Sequence, residues 1–424
     1  MNSSSDKSFA NGHILGQAKE NEDLLEPGKD RLTKYAAIPL VIASLAFHTF
    51  LFMLVWDIPR LSARFVGIPL AADYANYWCA AKLALQGNPA VAYNLYELHE
   101  LQLGIFGVHH YFGCGWYYPP TFLLLVLPFA LFPYLTSLLV WIGTTFFGHF
   151  LVLARLSRSY LTIFLLGVAF PGVWQNILFG QNGFISSALL GGGLLLLQPF
   201  PLLGGSLFGL LSYKPNLALL PFFALLVGRQ WRALIAAAVS ALGFALISAV
   251  VFGIETWSAY LKNMAIPMQL LEDGAAGWII MPTPFSAVLS LGLSVKMAYL
   301  VQVIISLTVI GGVAWIWFRQ SSLPIRAAAL ILGTLLFTPY VFLYDLPMVA
   351  FALIWLWQDG YIKGRFPSER LLLLLGWLFP SFVQIIWNMN FLPEVKLQIG
   401  PFVLFSLFIL TILREQKYGS TQHC

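Results

Sequence analysis

Long apolar segments separated by short polar connections occupy almost the whole chain between residues 36 and 413. A helix needs about 20 consecutive apolar residues to cross a bilayer, and stretches of that length recur along this region. Some of these stretches are interrupted by proline, by a lone charge or by a pair of amides. The number of spans is therefore predicted only as a range. The pattern indicates an all-α, polytopic integral membrane protein with about 10 to 12 transmembrane helices.

The longest polar segment between apolar ones is 57–118, directly after the first predicted span, 36–56. Basic residues precede that span, and the positive-inside rule therefore places the N-terminal tail, 1–35, in the cytoplasm and the polar segment outside. The predicted organisation is a disordered cytoplasmic tail, a membrane domain over 36–413 with one large outer loop, and a second cytoplasmic tail over 414–424.

Two short helices are predicted inside the outer loop. The first runs over 74–86, with Asp73 as its N-cap and Gly87 as its stop. The second runs over 95–105, with Asn94 as its cap. Both carry aromatic residues near their starts and are predicted to lie in the interface plane of the membrane.

Composition agrees with a membrane protein: 59% of the 424 residues are hydrophobic, 10% are charged, and the mean hydropathy is +0.79. Soluble domains carry about 25% charged residues. The net charge of +5 is explained by the basic clusters between spans, so it does not indicate a nucleic-acid partner. Cys79 and Cys114 both fall in the outer loop and could pair, but unpaired packing is the favoured interpretation. No Cys/His spacing resembles a zinc site.

Asp73 is the candidate catalytic residue. It lies at a predicted helix start just beyond the first span, among aromatic residues that could hold the face of a sugar. Inverting glycosyl transfer needs a carboxylate that takes the proton of the acceptor hydroxyl. The alternative is that Asp73 only caps its helix, and the two roles are compatible.

Three candidate binding residues interrupt apolar segments. Lys214 stands inside an apolar run, where a charge costs about 2.5–3.5 kcal/mol and usually marks a site or a water-filled cavity. Pro215 predicts a helix break there, and Lys214 could bind a phosphate or instead reach out to an interface. Gln181 and Asn182 lie between two glycines, where they form either a hydrogen-bonding site or a simple turn.

The remaining candidates are aromatic or acidic residues at segment boundaries. Tyr77 and Trp78 follow the candidate base, and Tyr118 precedes two prolines that fix an extended entry into the next segment. These aromatic residues could equally be interfacial anchors. Tyr344 and Asp345 lie between two late apolar segments, where the acid is either a second active-site group or the N-cap of the next helix.

The ordered set of these motifs resembles glycosyltransferase family 87 over nearly the whole chain after the tail. The motifs that carry the resemblance are Asp73 with Tyr77 and Trp78, Gly87, Asn94-Leu95-Tyr96, Tyr118-Pro119-Pro120, Gly180-Gln181-Asn182, Lys214-Pro215 and Thr338-Pro339. The family often carries a histidine in its late segment, where this chain has Tyr344-Asp345. That departure leaves the role of this region and the identity of the sugar open.

The resemblance implies a membrane glycosyltransferase of the GT-C fold type in the bacterial inner membrane, with its active site facing the periplasm. It implies a polyprenyl-phosphate sugar donor, often mannose, a lipid or glycan acceptor, inversion, and Asp73 as general base. The donor phosphate is expected near Lys214 and Gln181. The sequence shows no required cofactor; a divalent cation could share the stabilisation of the leaving phosphate, but an isolated acid argues against a strong metal site.

The alternative function is a transporter or flippase of a lipid-linked sugar, because broken helices and the intramembrane Lys214 also suit transport. Two features favour the transferase. No pair of broken segments repeats in corresponding halves of the chain, and transport does not need a large outer loop with an acid at a helix start.

Overall fold

The computed structural model describes residues 42–50, 71–106, 115–157, 159–275, 277–388 and 398–419. The chain divides into two units, Met1–Leu51 and Phe52–Cys424. In the first unit residues 42–50 are helical, within the first predicted span. The predictions about both tails and about Cys114 lie outside the described residues. Cys79 is a buried free thiol, and burial raises its pKa to about 12.

The described residues of the second unit form α-helices joined by short turns. In chain order they are α1 (Ala72–Leu85), α2 (Leu95–Phe106), α3 (Pro120–Val126), α4 (Tyr134–Leu156), α5 (Tyr160–Gly167), α6 (Pro171–Phe179), α7 (Gly183–Leu196), α8 (Pro201–Leu210), α9 (Pro215–Val227), α10 (Trp231–Phe252), α11 (Ile254–Asn263), α12 (Ile266–Glu272), α13 (Pro284–Ser290), α14 (Val295–Phe318), α15 (Leu323–Phe337), α16 (Val349–Lys363), α17 (Glu369–Asn388) and α18 (Gly400–Tyr418). Short 3-10 turns connect some of them: Pro89–Tyr93, Leu127–Leu131, Leu211–Tyr213, Trp278–Ile280 and Leu343–Met348. No strand occurs in the described part of the chain, so the all-α prediction is confirmed.

Four of the described helices, α4, α10, α14 and α17, are long and apolar enough to cross a membrane. Helices α5 and α6 make a fifth candidate if they are one span bent by 45°. Other apolar helices, including α7, α8, α9 and α15, have only 10–17 residues. The protein is therefore a multi-pass membrane protein, while the total of 10 to 12 spans stays a prediction.

Small residues form much of the contact between α8 and α10. A Cβ atom added at Gly205 would lie 2.1 Å from the carbonyl oxygen of Ala233, and one added at Gly209 would lie 2.3 Å from that of Ala237. Glycines four residues apart thus face alanines four residues apart, and the two backbones touch. This is the small-residue packing by which helices associate in a bilayer.

Helix α15 lies inside the protein, with almost every residue from Ile325 to Leu336 buried. It packs against α9, α14, α16 and α18. A helix that is apolar on nearly all sides is expected to lie in a protein core or in lipid, and α15 lies in the core. Its C-terminal end leads into the Leu343–Met348 turn, which carries two of the candidate site residues.

The helices of the outer loop match the predicted positions, with one correction. Helix α2 begins after Asn94, whose Oδ1 accepts the N–H of Tyr96 at 3.1 Å, so the predicted cap is confirmed. Gly87 follows α1 with a φ of 83°, which confirms the stop. The predicted N-cap is wrong: α1 starts at Ala72, and Asp73 lies inside its first turn.

Helix α1 also differs from the expected interfacial helix, because most of its residues are buried. Its aromatic side chains pack against the protein rather than lying at a membrane surface: Tyr74 lies 5.8 Å from Trp141, and Tyr77 lies 4.9 Å from Phe122, between ring centres. The aromatic residues near the helix start were therefore a signal of packing. The outer loop is anchored into the membrane domain at this helix.

Candidate active site

The turn that connects α6 to α7 has a glycine at each end, and its geometry requires both. Gly180 ends α6 in the left-handed region, with a φ of 64°, where glycine is favoured. Gly183 begins α7 so close to the Leu343–Met348 turn that an added Cβ atom would lie 1.8 Å from the carbonyl oxygen of Tyr344. The two amide residues between these glycines are thereby held against the late turn.

Gln181 joins this turn to α1. Its Nε2 donates to Asp73 Oδ2 at 2.9 Å, and its Oε1 accepts from the hydroxyls of Tyr77 and Tyr118, the latter at 3.3 Å. Burial raises the pKa of both tyrosines well above the ordinary value, so each hydroxyl keeps its proton and can donate. Both ends of the Gln181 amide are occupied, and the amide orients the carboxylate.

Lys214 lies at the break between α8 and α9, as the lone charge and the following proline predicted. Its side chain is only 5% exposed, which does not fit the alternative of a lysine reaching an interface. The ammonium donates to Asn182 Oδ1 at 3.2 Å and to Asp345 Oδ1 at 2.5 Å, and it lies 5.1 Å from the ring centre of Tyr344. The buried charge is therefore paired.

The predicted N-cap role of Asp345 is wrong: Asp345 lies inside the Leu343–Met348 turn, whose N-cap is Phe342, and the next helix, α16, has Met348 as its N-cap. Its role as a second active-site group stays a prediction. Asp345 is fully buried in the turn, where its Oδ2 accepts the N–H of Phe342 at 3.2 Å at the start of the turn. Its other oxygen binds Lys214. One carboxylate thus stabilises the turn and neutralises the lysine.

Asn182 links the two halves of the site. Its Nδ2 donates to the hydroxyl of Tyr77 at 3.1 Å, while its Oδ1 accepts from Lys214. A continuous chain of hydrogen bonds therefore runs from Asp73 through the two amides to Asp345. We call this chain the polar network; its members are Asp73, Tyr77, Tyr118, Gln181, Asn182, Lys214 and Asp345.

Residues 116–339, more than half of the chain, match the sequence model of glycosyltransferase family 87. The chain belongs to glycosyltransferase family 87. Neither the curated proteins nor the solved structures gave a match. The protein is thus a glycosyltransferase, and its helical membrane architecture is consistent with the GT-C type.

The family 87 match covers only the middle of the polar network. Tyr118, Gln181 and Lys214 lie inside the matched region, whereas Asp73 and Asp345 lie outside it. The hydrogen bonds of Gln181 and Lys214 connect these outlying acids to the matched region. Segments far apart in sequence therefore converge on one place.

The polar network of this family 87 protein combines groups that sugar transfer requires. A half-buried carboxylate, Asp73, lies at one end, and a buried ammonium paired with Asp345 lies at the other. Two amides and two protonated tyrosine hydroxyls lie between them and can donate to or accept from sugar hydroxyls. A carboxylate can act as a base and an ammonium can stabilise negative charge, and the two lie at separate places in the network.

Of the proposed binding residues, Tyr344 touches the polar network through its ring contact with Lys214, and Trp78 lies outside the network. Trp78 Nε1 donates to the carbonyl oxygen of Phe132 at 3.1 Å, and its ring packs against Tyr134. Because Trp78 and Tyr77 are adjacent on a helix, their side chains point about 100° apart. Trp78 therefore packs α1 against the segment before α4 and against the first residue of α4.

Three supporting residues were not singled out from the sequence. Tyr93 donates to the carbonyl oxygen of Tyr118 at 2.8 Å, and Tyr213 to that of Asn182 at 3.2 Å. Asn176 Oδ1 accepts the N–H that opens α7, at 2.7 Å. Tyr213 directly precedes the lone lysine, and Asn176 is one of two adjacent amides in an apolar segment, so both carried a weak signal.

The acids of the site are not arranged as a metal-ligand cluster. Gln181, Asn182 and Lys214 lie along the hydrogen-bonded path between Asp73 and Asp345. Within the described ranges, no three histidine, cysteine, aspartate or glutamate side chains come together in a way that could hold a metal. The role of a divalent cation stays a prediction about the loaded enzyme.

Proposed function

We propose that this family 87 glycosyltransferase moves a hexose, mannose in the first instance, from a polyprenyl-phosphate donor to a lipid or glycan acceptor. The transfer inverts the anomeric centre and takes place at the periplasmic face of the bacterial inner membrane. The observation that carries the proposal is the polar network, which connects a carboxylate to a buried ammonium through donors and acceptors suited to a sugar.

Asp73 is proposed as the general base. Inversion requires the attacking hydroxyl and the leaving phosphate to lie on opposite faces of the sugar. The hydrogen bond from Gln181 holds the carboxylate at one end of the network, remote along that network from Lys214. A sugar lying over the two amides would have the base on one side and the ammonium on the other.

Lys214 is proposed to stabilise the donor phosphate. An ammonium has three N–H donors, and two of them are directed to Asn182 and Asp345. The third can be offered to a phosphate oxygen on which negative charge develops as the sugar leaves. The Lys214–Asp345 pair is neutral overall, so a divalent cation could provide further positive charge.

The resemblance to family 87 and the basic clusters supply the remaining parts of the proposal. The positive-inside pattern supports a periplasmic position for the first outer loop and for Asp73. Tyr344 is proposed to shield the ammonium from water, since its ring lies against it. Tyr77, Tyr118 and Asn182 are proposed to bind the sugar.

The test is sugar transfer from labelled polyprenyl-phosphate mannose in membranes that carry wild-type protein or Asp73→Asn. The amide cannot take a proton, so the transfer rate is expected to fall by about 10²–10⁴. Membrane extraction and thermal unfolding check that the variant is folded. An unchanged rate in a folded variant would remove Asp73 from the mechanism.

A further inference from the structure

A groove of about 620 Å³ lies between the Pro89–Tyr93 turn and α11. We call it the outer groove; the lining residues used below are Tyr93, Tyr96, Glu255, Ser258, Ala259 and Lys262. It lies between the first outer loop and the polar segment after α10. Both segments are predicted to be on the same side of the membrane.

Tyr93 connects the outer groove to the polar network. It is one of the residues that line the groove, and its hydroxyl donates to the carbonyl oxygen of Tyr118 at 2.8 Å. The ring of Tyr93 also lies 6.0 Å from that of Tyr260 on α11. The groove is therefore one hydrogen bond away from Tyr118, a member of the network.

The polar groups of the groove suit a neutral polyhydroxyl compound. Glu255 offers a carboxylate that accepts, and Lys262 offers an ammonium that donates. In the described part of the chain Lys262 has no ion-pair or hydrogen-bond partner. The presence of both signs disfavours a strongly charged ligand. The ring of Tyr96, 71% exposed, adds an aromatic face against which the apolar side of a sugar can pack.

An apolar trough adjoins the groove along the same helix. Its volume is about 400 Å³, and its apolar walls are Ile254, Trp257 and Leu261. Ser258 and Lys262 line both depressions. The exposed Ile254 and Leu261 are suited to the acyl boundary of a bilayer. A polar cleft and an apolar trough that meet along one helix match a molecule with a polar head and an alkyl chain.

We propose that the outer groove binds the saccharide headgroup of a lipid-anchored acceptor, whose alkyl chain lies in the adjoining trough. This inference rests on the proposed function in one respect: the bound glycolipid is taken to be the molecule that receives the sugar. It narrows the acceptor class to an amphipathic glycolipid and assigns the groove residues to its recognition.

The experiment is photolabelling in nanodiscs with an alkyl mannoside that carries a diazirine and an alkyne in its chain. Because the diazirine is in the alkyl chain, label is expected on peptides that contain residues 254–262, which line the trough. Untagged octyl mannoside should displace the label at about tenfold lower concentration than methyl mannoside, because only the former has the chain. Label confined to other helices, or equal displacement by both competitors, would overturn the proposal.

A matched pair of variants tests the groove itself. Ala259→Trp fills it, while Ala265→Trp puts the same side chain at an exposed position that lines neither depression. Labelling is expected to fall about tenfold in the first variant and to stay at the wild-type level in the second. Lys262→Ala should weaken labelling in the same direction. Equal labelling in both tryptophan variants would overturn the proposal.

The labelling readout separates this inference from the proposed function, because it requires no turnover. Labelling of residues 254–262 without transfer from any lipid-linked sugar would retain the glycolipid site and reject the proposed reaction. Transfer without this labelling would retain the reaction and reject the site. If both hold, Ala259→Trp should raise the acceptor KM and leave the donor KM unchanged.

Discussion

Two groups of buried charges lie at different places in the fold, one at the α8–α9 break and the other where α16, α17 and α18 meet. In the second group Arg414 donates to Asp359 and to Glu369, each at 2.7 Å, and Lys363 lies 2.9 Å from Asp359. It pairs two positive with two negative charges and joins three helices. Lys214, by contrast, pairs with a single acid and is connected onward through amides to Asp73.

The comparison shows that burial of charge alone does not identify an active site. Both groups carry the cost of desolvation, and both are paired. The group at Lys214 is connected through amides to the half-buried carboxylate of Asp73. The Arg414 group binds carboxylates and a backbone carbonyl, which is the chemistry of a structural junction.

Removing one cation from each group gives the largest expected effects. Arg414→Met and Lys214→Met each leave a buried carboxylate without its partner and should destabilise the protein by about 3–5 kcal/mol. Thermal unfolding in detergent measures this effect. Transfer per folded molecule should be lost only in Lys214→Met, with the donor KM raised more than the acceptor KM. Equal loss of transfer in both variants would show that the Lys214 group and the Arg414 group do not differ in their role in transfer.

A smaller effect on the transfer rate is expected from changing Gln181, and Gln175, another glutamine near the α6–α7 turn, provides its control. Gln181→Leu removes the amide that orients Asp73, and the transfer rate is expected to fall by about 10–100-fold. Gln175→Leu is the matched control: in the described part of the chain its buried amide has no partner at either end. Leucine there should leave the rate unchanged and stability equal or higher. A similar loss of transfer rate in both variants would show that Gln181 does not position Asp73.

The smallest effect is expected at Trp78, which lies beside the network without joining it. Trp78→Phe keeps an aromatic ring and loses the hydrogen bond to Phe132, so stability should fall by about 1 kcal/mol. Transfer per folded molecule should stay at the wild-type level. A selective loss of transfer would return this residue to the substrate-binding group.

Local signals predicted the break at Lys214, the cap of α2 and the α6–α7 turn, but they misplaced the N-cap of α1 at Asp73. A charge before a proline marked the break at Lys214, and Asn94 was recognised as a cap because its short side chain can satisfy helix N–H groups. The two glycines of the α6–α7 turn were recognised as a boundary. These features depend on a few neighbouring residues, which is why the sequence alone contains them.

Partners that are distant in sequence could not be predicted from such local signals. Nothing local shows that Lys214 pairs with an acid 131 positions later, or that Gln181 reaches Asp73 across 108 positions. The same limit explains the first outer helix, since aromatic residues near a helix start suit a membrane interface and a packed core equally well. Packing decides between them, and the pairing partners of α1 are distant in sequence.

The absent side chain of Gly183 has a consequence for how this protein can vary. Its α-carbon faces the carbonyl oxygen of Tyr344 with no room for even a methyl group. A change at position 183 is therefore tolerable only together with a displaced 343–348 turn, which would carry Asp345 away from Lys214. Gly183 and the 343–348 turn are therefore expected to change only together, because a change at position 183 without a compensating change in the turn would move Asp345 away from Lys214.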